Sequence, residues 1–201
     1  YKNTIDKRDA YLLNLKENKY YTHFSKDLTK IPECIMGYWL SDKLLKLLES
    51  DDLFQKFGQT REGLTTANND KFLRFHWEVN SKNISHFNNN EQDIYWFTYQ
   101  KGGEFRKWFG NNEILINWKN DGFEIKNNID QKTNRVRSHN YNGEFALKEG
   151  ITWTAFSGTS ISARYSIGDF FDSRGPKFFP NENVKYFLGL LNSKVSYAYL
   201  E

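Results

Sequence analysis

The central part of the sequence alternates apolar and polar residues, and this period of two constrains the fold more than any other feature. Residues 73–79 read LRFHWEV, with an apolar side chain at every second position. Because successive side chains of a β-strand point to opposite faces, the pattern predicts a half-buried strand. Turn sequences follow, and the pair Asp121-Gly122 predicts a hairpin. Similar short runs predict further strands at 94–99, 114–118, 123–126, 151–156 and 160–165.

Helical patterns flank this β-rich region. Apolar residues at helical spacing predict helices over 5–17 and 42–57, the second with Ser41 as its N-cap, and another that begins near Asn181. We therefore predict an α+β fold: a single domain with a mostly antiparallel mixed sheet flanked by N-terminal and C-terminal helices. The predicted parts are a helical segment over 1–57, a β-rich core over 58–180 and a C-terminal helix over 181–201.

Composition limits the class of protein. Of the 201 residues 38% are hydrophobic and 17% aromatic, which argues against disorder. No apolar run approaches the about 20 residues of a membrane span, so we expect no membrane partner. The single cysteine, Cys34, excludes a disulfide scaffold and fits a reducing compartment. We expect a cytoplasmic protein.

The two ends of the sequence suggest a piece of a longer protein. The first residue is Tyr1, and the only methionine is Met36. The final pair, Leu200-Glu201, is a dipeptide that cloning sites often leave before a purification tag. What the chain does and what its parent does are therefore two questions.

Motifs for nucleotide, metal and nucleophilic chemistry are absent from the sequence. Neither GxGxxG nor GxxxxGK[ST] occurs, and no signature of a nucleophilic triad is present. The four histidines are scattered, and no His/Cys pair has the spacing of metal ligands. We predict no catalytic residue, no bound cofactor and no metal site in this chain.

One constellation leaves an enzymatic alternative open. The segment DGFEIK at 121–126 holds Glu124 and Lys126 at the spacing of metal-dependent nucleases. In those enzymes two carboxylates hold Mg²⁺ and the lysine supports the attacking water. Glu104 or Glu113 would have to supply the other carboxylate. The same residues also fit the solvent face of a hairpin, and Glu-x-Lys is common by chance.

Basic residues interleaved with aromatic residues favour a polyanion as partner. Between residues 101 and 137 eight basic residues stand against five acidic ones, although the whole chain carries only +3. Cationic side chains neutralise phosphates, and arginine pairs with base edges. A solvated sheet face with its aromatics in the core explains the same composition. The candidate DNA-binding residues are Lys101, Arg106, Lys107, Lys119, Arg135 and Arg137, with Arg164 and Lys177 as an extension.

The segment KGGEFRKW at 101–108 has two interpretations. Its glycine pair lets the backbone approach a phosphate, with Arg106 and Lys107 alongside. Alternatively, the glycines turn a hairpin whose Trp108 packs in the core. The first interpretation is favoured slightly.

The order of motifs along the chain resembles a known family. The most specific blocks are GQTREGLTTANNDKFLRFHWEV at 58–79 and KGGEFRKWFGN at 101–111, followed by INWKNDGFEIK at 116–126 and EGITWT at 149–154. The series resembles the C-terminal part of the PglX adenine-specific DNA methyltransferases of the BREX phage-defence system and the related type IIG restriction-modification enzymes. One departure is Ala67, where the family resemblance leads us to expect glycine after Thr66.

The resemblance implies a target-recognition domain for double-stranded DNA. The catalytic domain of the same parent chain would bind S-adenosylmethionine and methylate adenine. Its Asn/Asp-Pro-Pro-Tyr/Phe loop is missing from this chain, so the resemblance implies neither cofactor binding nor methyl transfer here. Other defence-system proteins are possible partners. The alternatives that stay open are the Glu124/Lys126 nuclease and a protein-interaction module that binds an acidic protein.

Overall fold

The computed structural model describes residue 16 and residues 54–85, 93–140, 142–155 and 161–196. The chain divides into two compact units, Tyr1–Leu53 and Phe54–Glu201. In the first unit only Lys16 is described, and it is helical. The predicted helix over 42–57 lies outside the described residues as far as residue 53, and Phe54–Phe57 forms a 3-10 turn. The predicted boundaries at 57 and 180 stay a prediction.

In the second unit short strands alternate with helical turns. The α-helices are α1 (Asn69–Phe72), α2 (Lys119–Lys126) and α3 (Val184–Leu191). The strands are β1 (Gly58–Arg61), β2 (Leu64–Thr65), β3 (Leu73–Phe75), β4 (Trp96–Gln100), β5 (Ile114–Asn117), β6 (His139–Asn140), β7 (Gly150–Thr152), β8 (Arg164–Ser166), β9 (Phe170–Phe171) and β10 (Lys177–Pro180).

The first sheet has the antiparallel order β1-β10-β7-β8. Residues directly opposite each other on neighbouring strands share a face of the sheet. The row Phe178, Ile151 and Tyr165 packs against Phe187 and Leu188 of α3. The next row contains Lys177, Thr152 and Arg164, and all of these are fully buried. Phe178 and Ile151 therefore lie on the face under α3, and the fully buried polar row of Lys177, Thr152 and Arg164 lies on the other face.

The second sheet has the order β3-β5-β4-β9, in which only the β4–β9 pair is parallel. Its core contains Tyr99, Ile116 and Phe170, together with Phe72 of α1 and Ile125 of α2. A small antiparallel ribbon pairs β2 with β6. The described residues thus form an α+β domain with mostly antiparallel, mixed sheets and a C-terminal helix, which confirms the predicted fold class.

Two predicted strands are wrong in part or in full. The strand expected over 73–79 ends at Phe75, because residues His76–Glu78 form a 3-10 turn. The Glu78 carboxylate accepts a hydrogen bond from the Phe75 backbone N–H at 2.7 Å. This turn stops the alternation and leaves the Trp77 side chain 64% exposed.

The predicted hairpin at Asp121-Gly122 and the strand at 123–126 are replaced by helix α2. Asn120, Asp121 and Gly122 adopt consecutive left-handed conformations with φ of 52, 56 and 68°. Asparagine, aspartate and glycine tolerate this region better than other residues. A Cβ at Gly122 would lie 2.7 Å from the Trp118 ring, so the turn also needs glycine for packing.

The other predicted strands and the C-terminal helix agree more closely with the structure. Strands occur within or beside the predicted runs at 94–99, 114–118, 151–156 and 160–165, and α3 begins three residues after Asn181. Among the described helices none has both the length and the apolar character that crossing a membrane requires.

Candidate nucleic-acid interface

The eight candidate DNA-binding residues occupy three kinds of environment. Arg106, Lys119, Arg135 and Arg137 are exposed, and Lys101 and Lys107 are half-buried. Arg164 and Lys177 are fully buried. The expected extension of the basic surface by Arg164 and Lys177 is therefore corrected: their strand positions turn both side chains toward the interior.

Lys177 belongs to a buried polar network that joins the two sheets. Its Nζ donates to the Asp169 carboxylate at 2.8 Å and to the Lys148 carbonyl at 2.6 Å. The same carboxylate accepts from Ser166 Oγ at 2.6 Å and from Gln100 Nε2 at 2.9 Å. Burial lowers the pKa of Lys177, and the charge of Asp169 opposes that shift. The ammonium group of this lysine is therefore enclosed by protein oxygens in the interior of the domain.

Arg164 lies on the same polar face but has no carboxylate within ion-pair distance among the described residues. Its Nη1 donates to the backbone and side-chain oxygens of Ser162, at 3.2 and 3.3 Å. Its Nε and Nη2 have no hydrogen-bond partner in the described part of the chain. Burial lowers the pKa of this guanidinium, and nearby Arg106 lowers it further while Glu113 raises it.

Arg135 and Arg137 lie on a surface loop that we name the arginine hairpin (residues 128–137). Asp130 organises it, because its carboxylate accepts from the backbone N–H groups of Lys132 and Thr133 at 2.9 and 3.0 Å. These bonds lower the pKa of Asp130, so its charge persists. The Asp130 N–H donates to the Arg135 carbonyl, and Arg137 Nε lies 3.8 Å from the Asp130 carboxylate. Hydrogen bonds within the loop therefore hold the backbone on which the two arginines lie.

The arginine hairpin adjoins the turn of the GLTTAN segment (residues 63–68). Asn128 Nδ2 donates to the Thr66 carbonyl at 3.2 Å, and β2 pairs with β6 immediately after the hairpin. In this turn Ala67 has a φ of 55°, a value that favours glycine. The glycine expected there from the family resemblance is thus also the residue that the backbone favours. These two segments form the basic candidate interface.

The KGGEFRKWFGN segment forms a second surface loop, and we name its residues 104–110 the aromatic loop. Glycines with positive φ stand at its two ends: Gly103, just before the loop, has a φ of 103°, and Gly110, its last residue, has a φ of 129°. Asn111 Nδ2 closes its base by donating to the carbonyls of Gly102 and Glu104, both at 2.9 Å. Trp108 is 54% exposed. The alternative in which Trp108 packs in the core is therefore wrong.

The other basic residues near this loop have local partners. Arg106 Nη1 lies 3.1 Å from the Glu113 carboxylate, in an exposed pair. Lys107 Nζ donates to the Asn192 carbonyl at 3.1 Å. Partial burial lowers the pKa of Lys101, although the charge of Asp172 opposes this. Lys119 is exposed, and its Nζ lies 5.4 Å from the centre of the Tyr95 ring.

A cleft of about 710 Å³ runs beside the aromatic loop. Its walls include His76, Arg106, Phe109, Glu113 and Asp169. Sequence reasoning missed the neighbouring exposed pair Phe75 and Trp77, whose rings stack at 4.6 Å with an interplanar angle of 4°. The alternation of apolar and polar residues predicted that both rings lie in the core. No signal in the sequence indicated the 3-10 turn at His76–Glu78, which leaves them exposed.

Glu124 and Lys126 do not converge on one site. Glu124 lies 3.0 Å from Lys71, whereas Lys126 lies 2.6 Å from Asp121. The Lys126 contact lowers the pKa of Asp121. Over the described ranges no cluster of three or more acidic, histidine or cysteine side chains suits a metal ion.

Comparison with known proteins relates the chain to a part of adenine-specific methyltransferases. No protein-family model matches it. It is 44% identical to the adenine-specific methyltransferase PglX of Lacticaseibacillus casei (strain Zhang), and the match covers 97% of the chain but 17% of that protein. It is 33% identical to the adenine-specific methyltransferase BrxX of Escherichia coli O9:H4 (strain HS), with coverage of 91% and 15%. The chain is therefore related, along nearly its whole length, to one part of the PglX and BrxX adenine-specific methyltransferases, and the resemblance predicted from its motifs is confirmed.

Proposed function

We propose that the chain is the DNA target-recognition part of an adenine-specific DNA methyltransferase of a restriction-modification or BREX phage-defence system. In this proposal the chain binds double-stranded DNA, and another part of the parent carries S-adenosylmethionine and methylates adenine. The chain positions the duplex so that the catalytic domain can extrude its target base. We expect the parent protein to act in the cytoplasm.

The observation that carries the proposal is the arginine hairpin. Arg135 and Arg137 are both exposed on a loop whose backbone is fixed by Asp130. A loop that is ordered before binding loses little conformational entropy on contact with DNA. Arginine side chains suit both phosphate oxygens and the edge of guanine. The similarity to adenine-specific methyltransferases supports DNA as the polyanion.

The test is the double variant Arg135→Glu with Arg137→Glu. We expect duplex affinity, measured by fluorescence anisotropy over a series of salt concentrations, to fall roughly tenfold or more. The slope of log affinity against log salt should decrease by about 2, because two phosphate contacts are lost. A pool of duplexes with random sequence serves as the probe.

The matched control is Lys185→Glu with Lys194→Glu, which makes the same charge change at two exposed positions in and after α3. It should bind close to wild type. Equal losses in both variants would show a non-specific effect of net charge and contradict the proposal. Wild-type protein that binds an acidic protein through Arg135 and Arg137, but no duplex at any salt concentration, would favour the interaction-module alternative.

The assignment of specificity needs a second experiment, because binding alone does not select a sequence. The chain is exchanged for the corresponding part of a related methyltransferase, and the methylated sequence is determined. We expect the recognised site to change with the exchanged part. An unchanged site in an active hybrid enzyme would contradict the recognition role.

A further inference from the structure

The aromatic loop exposes an unusual amount of apolar surface. Phe105, Trp108 and Phe109 are 55%, 54% and 65% exposed, within five consecutive residues. A cluster of large exposed apolar side chains on a soluble domain commonly marks a contact surface. The loop also carries a net positive charge, because Arg106 and Lys107 outnumber Glu104 between residues 104 and 110. Its chemistry is therefore aromatic and cationic together.

The backbone holds Trp108 in a conformation that costs energy. Its φ is 73°, and the Phe109 N–H donates to the Lys107 carbonyl at 2.9 Å, which makes Trp108 the central residue of a γ-turn. Such turns with positive φ are rare and strained. Strained backbone at a bulky residue persists only where its surroundings enforce it, and it is concentrated at functional positions.

Hydrogen bonds to strand β8 and to Ala163, the residue before it, hold Trp108 in this conformation. The Trp108 N–H donates to the Ala163 carbonyl at 2.9 Å, and the Tyr165 N–H donates to the Trp108 carbonyl at 2.8 Å. Both backbone groups of Trp108 are thus attached to the first sheet, while its side chain is exposed. The indole is presented to solvent from a fixed position.

We propose that Trp108 acts as a wedge that inserts between two stacked base pairs of duplex DNA. The proposal rests on the proposed DNA-binding function. Proteins that bend DNA insert apolar side chains between base steps and neutralise the adjoining phosphates with cations. The aromatic loop combines these elements, with Arg106 and Lys107 on the two residues before Trp108 and Phe109 after it. A neutral apolar surface of another protein would not be complementary to the positive charge.

The test uses plasmid unwinding, because a plasmid offers thousands of sequences and the preferred site need not be known. Relaxed closed circular plasmid is incubated with the chain and topoisomerase I, and the linking number is read from gels. Insertion of a wedge untwists the duplex, so wild-type protein should shift the topoisomer distribution in proportion to the amount bound.

Trp108→Gly is the decisive variant, since glycine adopts a φ of 73° without strain and keeps the turn. It should remove the unwinding and weaken duplex binding about tenfold, with an unchanged salt dependence. Trp108→Phe should retain part of the unwinding. The control is Tyr186→Ala, which removes an aromatic side chain that is 65% exposed on α3 and should behave like wild type.

The outcomes separate the two proposals. Salt-sensitive binding without unwinding by wild-type protein overturns the wedge and leaves the recognition function standing. Unwinding that persists in Trp108→Gly also overturns the wedge, and assigns the aromatic loop to another partner such as a protein. Absence of duplex binding by the wild type overturns both. Loss of unwinding in Trp108→Gly alone supports the wedge.

Discussion

Two pairs of basic residues in this molecule have opposite environments. Arg135 and Arg137 lie on the arginine hairpin and are exposed, whereas Arg164 and Lys177 lie on strands β8 and β10 and are fully buried. All four are cations in a chain of modest net charge, +3. The two pairs differ in the backbone on which they lie. A surface loop exposes its side chains to solvent, whereas a strand directs each side chain to one face of its sheet.

The buried pair is itself divided. Lys177 has a carboxylate partner in Asp169, and the Gln100 and Ser166 side chains satisfy that carboxylate further. Arg164 has only the Ser162 oxygens, and its Nε and Nη2 atoms are left without a partner among the described residues. Exposure therefore separates the two pairs of residues, and within the buried pair a carboxylate partner separates a cation that stabilises the fold from one that costs stability.

The largest expected effect comes from Lys177→Met, which leaves the buried Asp169 charge without its cation. We expect the free energy of unfolding in urea to fall by about 3–5 kcal/mol. Arg137→Ala serves as the control, because an exposed arginine whose carboxylate contact is 3.8 Å long should change stability by less than about 0.5 kcal/mol. Equal stabilities of the two variants would contradict the expectation that buried Lys177 contributes more to stability than exposed Arg137.

A smaller effect of opposite sign is expected from Arg164→Met. Arg164 has no carboxylate partner in the part of the chain that the structure describes, so an apolar side chain of similar length removes its desolvation cost and retains packing, and stability should rise by about 1 kcal/mol or more. Urea unfolding measures the change. A loss of stability comparable to that of Lys177→Met would show that Arg164 has a compensating partner in the folded protein.

The smallest effect is a dependence of stability on pH. Burial lowers the pKa of Lys177 in the folded protein below its ordinary value of 10.5. At pH values between the lowered pKa and 10.5, the unfolded chain therefore binds more protons at this site than the folded protein does. The free energy of unfolding should therefore rise with pH there, by at most about 1.4 kcal/mol per pH unit.

Comparison of wild type with Lys177→Met from pH 7 to 10 isolates this site. Burial beside Asp172 raises the pKa of Tyr99 well above 10.0, which lowers stability at higher pH equally in both proteins. The difference in unfolding free energy between them should grow with pH. A constant difference would mean that burial does not perturb Lys177.

The sequence predicted the fold best where an element depends on the spacing of residues close together in the chain. The apolar stripe of α3 and the alternation in β3 correspond to observed elements, and the family motifs correspond to the related methyltransferases. Strands β2, β6 and β9 were missed, since two residues are too few to establish a period, and β1 and β10 were missed because their residues GQTR and KFFP do not alternate apolar with polar side chains. Helix α2 was taken for a hairpin because Asp-Gly suits both a two-residue turn and a left-handed turn.

The candidate interface was predictable only in part. Arg135 and Arg137 were among the candidates from the basic composition of 101–137, and both are exposed. The burial of Arg164 and Lys177 depends on which row of the first sheet each joins, and that register is set by pairing between strands far apart in sequence. The exposure of Trp77 and Trp108 depends on turns whose backbone angles no spacing of residue types reveals.

The order of the first sheet has a consequence for synthesis of the protein. Its second strand in space, β10, is the last of these strands in sequence, and β1 pairs with it across more than a hundred residues. Pairings at such separation form slowly, because the long intervening chain must first be brought together. During translation, β1 and β7 must therefore wait for residues 177–180 to emerge before this sheet can close. A ribosome that stops short of that point leaves β1 and β7 without the strand that joins them.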